Sequence, residues 1–135
     1  MRSKSNFVLK FPANIILFFI VLYCFYLYSS YKEDKLRKCF KVCNAMIVDA
    51  QHGYRGGVKL SYEYIVGKKK YRYSSKRPIS MGLGQSLINK NLLVIYSCYD
   101  FNENWLLLHK SDFEKYNIAY PDSLLWLKEE LDKGR

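Results

Sequence analysis

The chain has 135 residues but only two histidines, four cysteines, and 12 acidic side chains against 22 basic ones. His52 and His109 have no cysteine, histidine or carboxylate at metal-ligand spacing, and both read as solvent-facing turn residues. Cys39 and Cys43 are separated by three residues, which is not a zinc spacing, and no second pair completes four ligands. The glycines at Gly82 and Gly84 are too close for a phosphate loop and lack the lysine and hydroxyl that would follow. No Ser/His/Asp order stands out, and no internal repeat is present. These absences remove the usual supports for an enzyme, a metal protein or a repeat array. Hydrophobic residues make up 50% and aromatic residues 17%, which argues against overall disorder.

The formal charge of +10 is unevenly distributed. Most of it flanks one apolar segment, "FPANIILFFIVLYCFYLYSSY", in which Ile15 to Tyr28 carry no charge and no amide. A helix from Pro12 to Ser29 would extend roughly 27 Å, close to the hydrocarbon thickness of a bilayer. Proline is tolerated in a first helical turn, and Tyr26, Tyr28 and Tyr31 fall where an aromatic belt meets headgroups. A cleaved signal would need an Ala-x-Ala-like site after the run, and none follows. A lipoprotein signal would need a small residue where Tyr23 precedes Cys24, and a buried core helix is the third alternative, since the strictly apolar run is short for a span. The expected organisation is therefore a basic tail (1–10), a transmembrane helix (11–31), a helical stalk (32–41) and a small β-rich domain (42–135) ending in a helix (122–133).

Orientation stays open. Lys32, Lys35, Arg37 and Lys38 slightly outnumber Arg2, Lys4 and Lys10, which points to an inside C-terminal domain. The short N-terminal tail points to the opposite, signal-anchor arrangement. Cys24 lies in the span, leaving an odd number of cysteines, Cys39, Cys43 and Cys98. Cys43 and Cys98 can form a disulfide if the domain is exported, while small buried hydrophobes is the commoner role for such residues.

After Lys41 the period changes. "CNAMIVDAQ" (43–51) has strand composition, and "HGYRGG" (52–57) is turn chemistry. In "VKLSYEYIVGKKKYRYSS" the residues Val58, Leu60, Tyr62, Tyr64 and Val66 share one strand face. Gly67-Lys68 suits a two-residue turn with positive φ at the glycine. That register sets Tyr64 opposite Tyr71, Tyr62 opposite Tyr73, and Glu63 opposite Arg72. "SSKRPISMGLGQSLINKN" (74–91) reads as a long connection. "LLVIYSCY" (92–99) is a central strand, "DFNEN" a turn, and "WLLLH" (105–109) its hairpin partner. Ser111 with Glu114 is a capping-box pattern. The last helix has an N-cap in Asp122 or Ser123, a stripe of Leu124, Leu127 and Leu131, and a stop at Gly134. The fold class expected is a transmembrane helix plus a small mainly-β domain of about five strands, an antiparallel sheet or part-open barrel with a C-terminal amphipathic helix, α+β overall.

Tyr62, Tyr64, Val66, Gly67 and Lys68, followed by Val94, Tyr96, Asn102 to Asn104 and Leu106 to Leu108, carry a resemblance. Over residues 43–110 the chain resembles an uncharacterised bacterial family of small single-pass membrane proteins with a Tyr-x-Tyr-x-Val-x-Gly-Lys β-hairpin domain. The family's polar turn has a proline where Phe101 and Asn102 stand here. The resemblance implies a fold and a membrane location, and no activity or catalytic residue.

Lys59, Lys68, Lys69, Lys70, Arg72, Lys76 and Arg77 cluster at the hairpin tip and outer side, the candidate contacts for an anionic surface. Single-strand binders combine such cations with stacking aromatics, but these tyrosines share the Val58–Leu60–Val66 face and read as core. Glu129, Glu130 and Asp132 read as a solvated helix face. The function expected is a non-catalytic membrane-tethered interaction domain, of accessory or immunity type. The alternative is a binder of anionic lipid headgroups or nucleic acid through the basic hairpin. A membrane crossed once and an unidentified protein are the partners implied; nucleic acid is disfavoured, and no cofactor or metal is called for.

Overall fold

The computed structural model describes residues 13–133. Arg2, Lys4, Lys10, Pro12 and Gly134, which carry some of the expectations above, lie outside the described residues. The chain divides after Lys35 into two compact units.

Helix α1 spans Ala13–Lys38, and its most apolar window has a mean hydropathy of 1.6. Every side chain from Asn14 to Asp34 is exposed, including Phe25 at 73%. No face is reserved for a protein core, as an all-round apolar helix requires when its solvent is lipid. Only its last turn belongs to the second unit, where Leu36 is buried. The expected stalk to residue 41 is shorter in the structure. The helix stops at Lys38 and strand β1 begins at Phe40, because Phe40 already pairs with Ser97.

The second unit is a five-stranded antiparallel sheet in the order β3-β2-β1-β4-β5. The strands are β1 (Phe40–His52), β2 (Val58–Val66), β3 (Lys69–Arg77), β4 (Asn91–Ser97) and β5 (Asn104–Leu107). The central strand β1 pairs with β4 through its first half and with β2 through its second. Between Ile47 and Asp49 a β-bulge inserts Val48. A bulge shifts the two-residue period by one. It lets Ala50 follow Ala45 and Ile47 as a buried residue, where strict alternation would have sent Asp49 inward.

The β2–β3 hairpin has the expected register: Glu63 faces Arg72, Tyr64 faces Tyr71, and Tyr62 faces Tyr73. Gly67 supplies the turn with φ of 62°, a conformation that costs glycine least. The hairpin also runs further than its composition suggests. Ser74 to Arg77 continue the ladder to Val58, so the stretch read as a long connection begins only at Pro78. That connection is not irregular either: Met81–Ser86 form a short helix α2, capped by the Ser80 hydroxyl accepting from Leu83 N–H. Helix α2 lies close on the sheet because Gly84 has no side chain. A Cβ there would stand 2.8 Å from Val58 Cγ1.

Helix α3 (Lys110–Lys115) starts at His109, with Asp112 as its third residue. The expected Ser111–Glu114 capping box is therefore displaced to His109 and Asp112, whose carboxylate accepts from His109 N–H at 2.9 Å. A 3-10 turn, Asp122–Leu124, follows Pro121 and leads into α4 (Leu125–Lys133). Leu124 and Leu127 are buried in the same core as the sheet and Leu131 is half-buried. Lys90 Nζ sits 3.8 Å from the centre of the Trp126 ring.

Candidate functional site

The two faces of the β2–β3 hairpin hold different chemistry. On the inner face, Tyr64 stacks with Tyr71, Tyr73 and Tyr96 at centroid distances of 5.6, 6.0 and 5.9 Å. Phe101, from the β4–β5 turn, meets Tyr71 and Tyr96 edge-on. Hydroxyls then bind this turn to the hairpin. Tyr62 donates to Asn104 Oδ1 and Tyr64 to the Phe101 carbonyl, each at 2.6 Å, and Tyr73 donates to Asn102 Oδ1. The turn is held ready by its own bonds, Asn102 N–H to Asp100 Oδ1 and Asn104 Nδ2 to the Asn102 carbonyl. Burial pushes the Tyr62 hydroxyl up to about 12 and raises Tyr64, Tyr73 and Tyr96 as well. Tyr62, Tyr64 and Tyr73 therefore stay neutral donors at ordinary pH.

These contacts tie β2 and β3 to the β4–β5 turn and to Asn104 at the start of β5, with no backbone ladder between the edge strands β3 and β5. Arg77 completes the seam. Its guanidinium donates to the Leu106 carbonyl on β5 and to Asp112 Oδ2, the latter at 3.0 Å, and lies 4.7 Å from the Trp105 ring. Asp112 also accepts from the N–H groups of Leu108 and His109 and from Trp105 Nε1. Four donors converge on one carboxylate, which is how a buried charge is tolerated. Burial pulls the Arg77 pKa down, and the Asp112 charge opposes that shift.

Arg77 accordingly leaves the set of surface cations. It is 6% exposed and committed to Asp112, so it has no freedom to meet an anionic surface. A readable signal existed: Arg77 has the same strand parity as Tyr71 and Tyr73. Its partners Leu106 and Asp112 lie 29 and 35 residues away, and nothing local names them.

The other six cations, Lys59, Lys68, Lys69, Lys70, Arg72 and Lys76, are exposed. Glu63 sits among them, 2.5 Å from Lys70 and 3.8 Å from Arg72. The diagonal lysine, not the directly opposite arginine, is its closer partner. Lys69 lies over the Tyr71 ring at 5.1 Å, and Lys76 donates to the Tyr54 carbonyl. On this cationic side Ile65, paired with Lys70, is 63% exposed. The surface can offer donors to anions and apolar tips to a partner.

His52 is exposed at the end of β1, whereas His109 is half-buried at the start of α3 and is not the solvent-facing residue expected. Glu129, Glu130 and Asp132 are exposed, with Glu130 2.8 Å from Lys133. No group of three or more His, Cys, Asp or Glu side chains is placed to hold a metal among the described residues. The cysteine pairing differs from the one considered. Cys39 is bonded to Cys98, with Cα atoms 5.5 Å apart, and Cys43 is a free thiol. The register explains this: Cys43 stands opposite Val94, while Cys39 and Cys98 flank the Phe40–Ser97 pair. Burial raises the Cys43 thiol pKa.

Compared with known proteins, the chain matches no family model, no curated protein and no solved structure.

Proposed function

We propose that this chain is a non-catalytic, single-pass membrane protein whose β-domain is an interaction module, of accessory or immunity type. The observation that carries the reading is α1, with its apolar side chains exposed on every side from Ile15 to Tyr28. Such a surface is stable only in lipid or against other apolar surface. The inner aromatic face supports the second half of the reading, because it is consumed in holding the β4–β5 turn against the hairpin. What is left to offer is the outer and tip surface, with Lys68, Lys69, Lys70 and Arg72 beside Ile65.

The test is in two stages. The full chain is expected to pellet with membranes and to resist carbonate extraction; recovery of uncleaved protein in the soluble fraction overturns the anchor. Affinity capture of the detergent-solubilised chain should then retain a protein partner that is lost when Ile65 and Lys68 are replaced by serine.

A second reading, attraction to anionic headgroups, is favoured by the same cationic tip. It predicts binding to anionic vesicles that falls steeply with salt, with no protein captured. A nucleic-acid role has less support, because Tyr62 and Tyr64 are 2% exposed and offer no stacking platform.

A further inference from the structure

We infer that the β-domain resides on the oxidising side of its membrane, with the N-terminal tail on the reducing side. The inference rests on the reading of α1 as a span and adds the orientation that the sequence left open. Its basis is the Cys39–Cys98 disulfide.

The bond is built into the sheet. Cys39 and Cys98 flank the first β1–β4 pair, Phe40 and Ser97, and Cys98 N–H donates to the Cys39 carbonyl at 3.1 Å. Their Cα separation of 5.5 Å is in the centre of the range that a disulfide spans without moving backbone. Neither remaining cysteine competes: Cys43 stands opposite Val94 within the sheet, and Cys24 lies in the apolar stretch of α1.

Forming the bond removes a proton and an electron from each thiol. The two electrons pass to the disulfide of a thiol oxidant, which is released as a dithiol. Such oxidants work in exported compartments, while glutathione and thioredoxin keep cytosolic thiols reduced.

The disulfide outweighs the charge count. Arg2, Lys4 and Lys10 before the span face Lys32, Lys35, Arg37 and Lys38 after it, a difference of one cation. The partition of structural disulfides between compartments is much sharper than the bias such a difference produces.

The test uses the full chain in native membranes, acid-quenched, denatured and treated with a mass-tagging maleimide before or after reduction. Two tags, on Cys24 and Cys43, are expected before reduction and four after it. In Cys39→Ser a third tag should appear before reduction, on Cys98. If that variant does not accumulate, the wild-type count still decides. Externally added protease should remove the β-domain from right-side-out vesicles and leave it intact in sealed inverted ones. Four tags without reduction, or digestion only in inverted vesicles, overturns the inference. Failure of the anchor reading is distinguishable, because the chain would then leave the membrane in carbonate whatever its tag count.

Discussion

The inner and outer faces of the β2–β3 hairpin come from the same nine-residue strands and have opposite roles. Inside, Tyr64 stacks with Tyr71 and Tyr73, and Tyr62, Tyr64 and Tyr73 donate hydrogen bonds to residues 101–104, more than two dozen positions further along. Outside, the exposed cations Lys70 and Arg72 share one half-buried carboxylate, Glu63. Burial makes each inner contact count and solvent screening makes each outer one cheap. Alternation along one strand thus separates what holds the domain together from what it can show to a partner.

The sharpest way to break this comparison is to remove Asp112. Asp112→Ala leaves the buried Arg77 without its charge partner and frees two backbone N–H groups, and should cost about 3–5 kcal/mol. Tyr64→Ala should cost a similar amount, on the order of 3–5 kcal/mol, against 0–1 kcal/mol for Glu63→Ala. Urea melts of both variants check the pair. Equal stability of the two would mean that the faces had been misassigned.

Alkaline pH probes the same inner face without mutation. The folded pKa of Tyr62, about 12, lies above the unfolded value of 10.0. Its contribution is therefore fully present below pH 10 and is lost as pH rises towards 12, on the order of 2–3 kcal/mol. Tyr62→Phe should flatten that part of the stability profile while lowering stability at neutral pH by about 1 kcal/mol. An unchanged alkaline limb in the variant would assign the transition to other groups.

Gly84→Ala should be milder, about 1–3 kcal/mol, because the new methyl group must displace Val58. Gly82→Ala, where a Cβ meets nothing within 4 Å, is the control and should change the melting temperature little. The smallest effect is expected outside. Replacing Lys68, Lys69 and Lys70 with serine should leave stability within about 1 kcal/mol and alter only binding. A large loss of stability in that variant would show that the tip contributes to the fold.

Local periodicity was enough to establish the hairpin, its turn and its register. The pairing depends on the two-residue alternation of Leu60, Tyr62 and Tyr64 and on a glycine at position 67, all within reach of one another in sequence. The all-round apolar run from Ile15 to Tyr28 was legible for a similar reason, since no packing information is needed to see that it has no polar side. Tertiary structure alone decided the rest. Arg77 looks like the last of a cationic series until β5 and α3 arrive with a carbonyl and a carboxylate. Cys39 is the partner of Cys98, instead of Cys43, because β1 and β4 pair with Phe40 opposite Ser97, a register set by strands some 50 residues apart. Helix α2 sits close on Val58 because position 84 is a glycine. In each case the deciding partner is distant in the chain, and a sequence pattern carries no distance between residues that only folding brings together.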